Sequence, residues 1–491
     1  MATQAQTSQG AGSATTGRPV SPLLRKWSIP LGIGIVLALI PAPAGLDPGA
    51  WHYFAFFAAV IAALITEPLP AAAIGLIGLT LAAASQAVVS GASDSMKWGL
   101  SGFANDTVWL IFAAYMFALG YEKTGLGRRI SLMLVKGLGS RTIGLGYAIA
   151  FADLILAPFT PSNTARSGGT IYPIVKNIPP LYGSEPGPTA RKIGSYLMYV
   201  SFAITCVTSS MFLTALAPNL LALTLSNKIT HLSISWSQWF VGFLPIGILL
   251  FILVPLVLYF VYPPEIKAGA EVSKWAGEQL AGEGPLRRSE IVLAVLVGAA
   301  LLMWIFGSAL MAPALVAIAV ICAMLLTNTI DWNDVLGNKQ AWNVLVWFAT
   351  LVTLADGLNK VGFLTWIAKT AGADLAGFAM IPLILVLVAI FFVVHYFFAS
   401  LTAQATALLP LFIATVAAVP GAPMGVVTLM MAFSLGLMGV LTPYATGPAP
   451  IYAHSGYIET KDFWKLGALM GAIYLAALLF IDGPWLFAIM K

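Results

Sequence analysis

Long apolar runs separated by short polar breaks recur along the whole chain. A run of roughly 17–25 apolar residues is what a helix needs to cross a bilayer core. Such runs fall near 29–46, 51–66, 71–90, 106–121, 193–215, 238–262, 290–308, 311–327, 341–357, 423–441 and 463–487. The pattern predicts an all-α chain with about eleven membrane-spanning helices. Two further regions, 142–175 and 378–416, are also apolar, but Pro, Gly, Ser, Thr and Asn interrupt each near its middle. Pro158 and Pro161 remove backbone donors and stop a helix, and Gly168 and Gly169 let the chain turn. Each region is expected to be a helical hairpin that enters the membrane and returns on the same side.

The two interruptions resemble each other. The first reads Phe159-Thr160-Pro161-Ser162-Asn163-Thr164-Ala165-Arg166-Ser167-Gly168-Gly169, and the second Phe398-Ala399-Ser400-Leu401-Thr402-Ala403-Gln404-Ala405-Thr406. Aligned on Ser162 and Ser400, both give Ser-x-Thr-Ala and then a polar residue, Arg166 or Gln404. A second break follows each, at 214–219 after the first and at 441–450 after the second. Polar backbone at membrane depth is tolerated only when buried in protein or lining a watery cavity. Interrupted segments at corresponding positions of two halves point to a binding site between them.

Composition narrows the class. Of 491 residues, 59% are hydrophobic and 9% charged, whereas soluble domains are roughly 25% charged. The chain is therefore read as a polytopic integral membrane protein. The net charge of +5, from 24 Lys+Arg against 19 Asp+Glu, fits loop bias across a membrane better than a nucleic-acid surface. Basic residues gather at Arg25/Lys26, from Lys123 to Arg141, at Arg191/Lys192 and at Arg287/Arg288. Placed in the cytoplasm, they put the N-terminus inside, and eleven spans put the C-terminus outside. Segment 122–141 carries too many charges to span and is expected to lie at the interface. The expected organisation is a disordered tail at 1–25, a first half at 26–262 with its hairpin around 142–178, a cytoplasmic linker at 263–289, and a second half at 290–491 with its hairpin around 360–419. Cys206 and Cys322 lie in apolar runs and read as small buried residues.

Enzyme chemistry has little to stand on. The chain has no Walker loop, HExxH, CxxC or GxSxG, and its four histidines lack metal-ligand spacing. The tips offer something else. Hydroxyls, amides and free backbone N–H groups at helix N-termini bind anions, and broken segments expose carbonyls that coordinate Na⁺. Candidate substrate-binding residues are Ser162, Asn163, Thr164 and Arg166 on the first tip, Ser400, Thr402 and Gln404 on the second, and Thr446 in the break that follows. Arg166 has two readings: its planar fork suits a substrate carboxylate, or it pairs with a structural partner such as Asp153. For His395 and Asp153, a structural hydrogen bond and a coupling role both stand.

Pro161-Ser162-Asn163-Thr164-Ala165-Arg166, with the downstream Ser400-Leu401-Thr402-Ala403, resembles the divalent anion–sodium symporter family. The likeness is to the branch holding bacterial citrate/succinate-type antiporters and the plastid 2-oxoglutarate/malate translocator. It implies eleven transmembrane helices, two re-entrant hairpins, an inverted repeat, a homodimer in the bacterial inner membrane, and elevator-type carriage of di- or tricarboxylates. It also implies Na⁺ ligands at Ser162, Asn163, Ser209, Thr402 and Ala445, with no other cofactor and no nucleic-acid partner. Two departures bear on coupling. Leu401 stands where a sodium-coupled member would carry Asn, and Arg166 adds a fixed positive charge. Both favour sodium-independent exchange over the alternative, Na⁺-coupled symport.

Overall fold

The computed structural model describes residues 22–267, 271–307, 309–375 and 377–490, and every regular element among them is a helix. Eight segments are long and apolar enough to cross a membrane, from Pro48–Thr66 to Thr460–Ile489, and five shorter apolar helices accompany them. All eleven apolar runs overlap helices, though not always where expected. The first helix is Pro22–Leu39, not 29–46, because Pro41 and Pro43 follow it and block its extension. The expected tail falls largely on residues 1–21, outside those described.

Local chemistry sets the helix ends. Asp47 accepts a hydrogen bond from Ala50 N at 3.1 Å and starts Pro48–Thr66, with Pro48 in the first turn where its missing N–H costs nothing. Asn105 caps Asp106–Thr124, and Gly125 ends that helix at φ 81°. Ser235 and Gln238 form a reciprocal cap at the head of Trp236–Val261.

Burial sorts the helices into centre and rim. Every residue of Gly194–Met211 is buried, and Met424–Leu437 is buried from Val426 onward. The Arg288–Phe306 helix is only 28% buried, so most of its apolar surface faces outward. Cys206 is buried but Cys322 is exposed, which corrects the expectation for the second cysteine: it sits on the outer face of Pro313–Leu326.

The basic segment after Gly125 is a separate amphipathic helix, Leu126–Leu138, that buries Leu126, Leu132 and Val135. The hydrophilic linker also contains a helix, Glu271–Glu283, whose Val272 and Ala276 are buried. The two helices pack together. Arg128 pairs with Glu283, and Arg129 reaches Glu290 at 2.7 Å and Gly284 O at 3.0 Å.

Both hairpin regions break where expected. Thr142–Leu156 tightens into the turn Ala157–Phe159 and runs extended through Thr160; the chain re-coils in the wide π-type turn Thr164–Ile171. Met380–Val393 tightens into Val394–Phe397, extends to Ser400, and restarts as Leu401–Ala417. The following helices break too. Gly194–Met211 gives way to an extended Phe212, a turn at Leu213–Ala215 and a new helix at Ala217–Thr230. Met424–Leu437 gives way to Met438–Val440 and then irregular backbone up to Ala449–Ala453.

Candidate functional site

The repeated Ser-x-Thr-Ala is a helix cap used twice. Ser162 Oγ accepts from Ala165 N at 3.2 Å, and Ser400 Oγ accepts from Ala403 N at 3.3 Å. In each motif the serine satisfies one of the donors orphaned at a helix start, and the others stay available to an anion. Ser162, at 9% exposure, and Asn163 are buried; Thr164 and Thr402 are half-buried; Ser400 is exposed.

The two tips meet at the second break. Asn163 Nδ2 donates to Thr446 Oγ1 at 2.8 Å, and next to it Ala445 O lies 2.8 Å from His395 Nε2. Backbones approach closely here. A Cβ on Gly447 would lie 3.1 Å from Thr164 Cβ and closer still to Thr164 Oγ1. Glycine is thus required by contact, not by conformation. Ser167 and Tyr452 share a hydrogen bond of 2.9 Å, which ties the first tip to the same region.

Arg166 pairs with Asp153, the structural partner of its second reading. It is fully buried and all three nitrogens are engaged. Nε donates to Asp153 at 3.1 Å; Nη1 donates to Thr160 O at 3.0 Å and Ala215 O at 2.9 Å; Nη2 reaches Thr205 and Thr208 at 3.3 Å and Ser209 at 3.0 Å. Thr208 also donates to Asp153. The guanidinium therefore clamps the first tip to the first break and offers no free fork to a carboxylate. Asn219 Nδ2 braces that break through Ser209 O at 2.7 Å and Phe212 O at 3.3 Å.

His395 plays the matching part behind the second tip, which the sequence left open. Its Nδ1 lies 2.6 Å from Gln404 Oε1, and Gln404 Nε2 donates to Phe391 O at 2.6 Å. That second bond fixes the amide so that its oxygen faces the ring. His395 thus bridges Gln404 and Ala445 O, its tautomer deciding which nitrogen donates. Gln404 is fully buried behind the tip.

The expected cation ligands fare alike. Ser209 Oγ accepts from Arg166, and Ala445 O faces His395. These two of the five expected Na⁺ ligands are engaged by side chains of the chain itself. Ser162, Asn163 and Thr402 lie at the tips, with Asn163 bonded to Thr446 beside Ala445.

One contributor was invisible in the sequence. Tyr115, from Asp106–Thr124, interacts with Ser162 and Gln340. It lines a cavity of about 600 Å³ bordered by Thr160, Ala165 and Thr170 of the first tip and by Asn338, Lys339 and Gln340 opposite. A second cavity, of about 430 Å³, opens at the other end of the same helix, between Asn105, Asp106, Leu213, Thr224 and Trp236. Their nearest lining residues on that helix, Leu110 and Tyr115, are roughly 7.5 Å apart at 1.5 Å per residue. Outside the membrane, Lys123 pairs with Asp334 and lies 3.2 Å from Asp331. The Asp334 backbone N–H, followed by Lys123, holds the Asp331 carboxyl below the usual carboxylate range.

Broken helices in pairs, polar tips meeting inside an apolar bundle and cavities at both ends define a polytopic membrane transport protein. The chain belongs to the divalent anion–sodium symporter family: the family model described as the sodium:sulfate symporter transmembrane region matches residues 22–490. It is a family of transporters and not of enzymes. The chain is 46% identical over 475 residues to the L-tartrate/succinate antiporter of Escherichia coli (strain K12), covering 94% of this chain and 97% of that protein. The L-tartrate/succinate antiporter of Shigella sonnei (strain Ss046) matches to the same extent. Among solved structures, the Alcanivorax borkumensis YdaH transporter, described as having an unusual topology, superimposes with a TM-score of 0.54 at 16% identity, covering 79% of this chain and 86% of that one. That likeness bears on the fold alone.

Proposed function

We propose that this protein exchanges small dicarboxylates of the succinate and tartrate class across the bacterial inner membrane, without sodium. The relatives named L-tartrate/succinate antiporter support the substrate class. One observation carries the coupling. Each tip region has a side chain engaging the carbonyl of the break that follows it, Arg166 at Ala215 and His395 at Ala445. Arg166 and Asp153 balance each other, so neither clamp needs a bound cation to engage its carbonyl. Two helix N-termini, each worth roughly half an elementary charge, favour an anion between the tips. An empty site leaves those N-termini without an anion, and reorienting them through low dielectric carries a cost. The loaded site does not bear that cost, so exchange is favoured over one-way movement.

In this reading Ser162, Asn163, Thr164, Ser400, Thr402 and Thr446 face the substrate, while Arg166 and Gln404 position them. The hairpins are re-entrant, the halves form an inverted repeat of eleven spans, and the tip-bearing unit moves as an elevator within a lipid-embedded homodimer. The N-terminus is cytoplasmic and the C-terminus periplasmic.

Proteoliposomes loaded with unlabelled succinate and given labelled succinate outside test this directly. Counterflow in sodium-free buffer, and none from empty liposomes, is expected. Uptake that appears only with Na⁺ would replace exchange by symport, the reading that the description of the family model favours.

A further inference from the structure

The last apolar segment, Thr460–Ile489, runs 30 residues with a mean hydropathy of 1.9. Between Lys465 and Lys491 it has a single charged residue, Asp482. Regular helix ends at Ala477, widens into the π-type turn Leu478–Asp482, and resumes as Gly483–Ile489. Pro484 gives the widening a cause, since it has no N–H to return to the preceding turn. Such turns leave carbonyls without their usual donors and recur at functional positions.

Asp482 is fully buried, and neither of its carboxyl oxygens has a hydrogen-bond partner among the described residues. Three helices from elsewhere in the chain pack on this turn: Trp236–Val261, Met380–Val393 and Met424–Leu437. None contains Asp, Glu, Lys, Arg or His, and their one titratable side chain is Tyr259. On its own segment, Tyr474 spends its hydroxyl on Ala203 O at 2.9 Å. Lys461, Asp462 and Lys465 lie near the far end, more than four helical turns away. An ionised carboxylate here has neither counter-charge nor donor, an arrangement that apolar packing does not sustain.

We propose that Asp482 is a proton-binding site: it holds its proton in this conformation and ionises when the Leu478–Asp482 turn meets water in another. Linkage then gives the sign. The ionised form is stable only in the hydrated conformation, so raising the pH draws the population towards that conformation and lowering it draws the population back. The site takes a proton, not the transported anion, and nothing in it touches the tips.

Dicyclohexylcarbodiimide, an apolar reagent, reads the protonated acid directly. The carboxyl O–H adds across one C=N bond: its oxygen joins the central carbon and its proton goes to nitrogen. The acyl group then shifts to nitrogen as a stable N-acylurea, with no oxidant and no leaving group. Full-length protein in detergent, treated at about pH 6 and about pH 9 and digested for mass spectrometry, is expected to carry the adduct on Asp482, at least about tenfold less at the higher pH. This arm uses no transport substrate, so it stands or falls apart from the exchange reading. In liposomes at equal pH on both sides, wild-type exchange is expected to change between about pH 7 and about pH 9, where dicarboxylates are fully ionised, and Asp482→Asn exchange is expected to stay flat. No adduct at Asp482 at either pH, an adduct independent of pH, or an Asp482→Asn profile matching wild type would each overturn the proposal. Should Asp482→Asn fail to fold, the labelling of the wild-type protein decides alone.

Discussion

A buried arginine shows how the site is held at the level of single residues. Arg166 and Asp153 are 0% and 1% exposed, and they face each other at 3.1 Å. Removing one partner of a buried pair leaves the other uncompensated, at about 3–5 kcal/mol. Arg166→Ala is therefore expected to lower the unfolding temperature of the detergent-purified protein strongly, followed by tryptophan fluorescence, and to abolish exchange. Arg166→Ala combined with Asp153→Asn removes both charges and is expected to regain most of the stability but no exchange, because the clamp on Thr160 and Ala215 is gone. A single Arg166→Ala variant as stable as wild type would mean that the pair contributes nothing. The contrast separates a positioning role from simple support of the fold, since only the first loses transport in a well-folded double variant.

At the scale of elements, the site is two capped helices held against two broken ones. Gly447 is where they come closest, with no room for a Cβ beside Thr164. Gly447→Ala is expected to push the first tip off Thr446 and to lower the exchange rate by about tenfold or more, as roughly ångström-scale misplacement does. Thr164→Ala added to it removes the hydroxyl and methyl in the way and is expected to restore part of the rate. Labelled-succinate exchange by the two variants decides it, and a double variant no better than the single one rules out crowding as the cause. These elements were legible in the sequence to unequal degrees. The Ser-x-Thr-Ala tips could be read because a cap is made within four residues, and prolines write breaks into the chain directly. The partners of His395 could not, since Ala445 is fifty residues away and only the fold brings its carbonyl to the ring. Tyr115 was hidden for the same reason, on a helix whose apolar pattern says nothing of Ser162. Arg166 was noticed for its charge, but the choice between a substrate and Asp153 depended on a clamp built from three separate segments.

Across the whole molecule, the two cavities at opposite ends of Asp106–Thr124 suggest which parts must move. The Ala217–Thr230 helix continues from the first break, borders the second cavity, and is tied to Lys339–Lys360 by Lys228 and Asp356 at 2.9 Å. Asn359 Nδ2 adds a bond to Lys228 O at 3.1 Å, and Trp98 Nε1 reaches Asp356 at 3.3 Å. If the tips travel with Ala217–Thr230 past Lys339–Lys360, this pair must part on every cycle. A partly exposed ion pair is worth about 1 kcal/mol, a factor of roughly five in population. Asp356→Asn is thus expected to shift the balance between conformations without unfolding the protein. The exposed Cys322 is first replaced by serine, which leaves Cys206 buried and silent. Single cysteines are then placed at Asn333 in the first cavity and at Ser233 in the second, both exposed positions. Adding Asp356→Asn is expected to change the rates at which a polar maleimide modifies the two cysteines in opposite directions. Rates that rise together would indicate loosening, and unchanged rates would free the Lys228–Asp356 pair of any part in the cycle. Opposite changes are what one site exposed alternately through two cavities requires, because opening at one end of Asp106–Thr124 then closes the other.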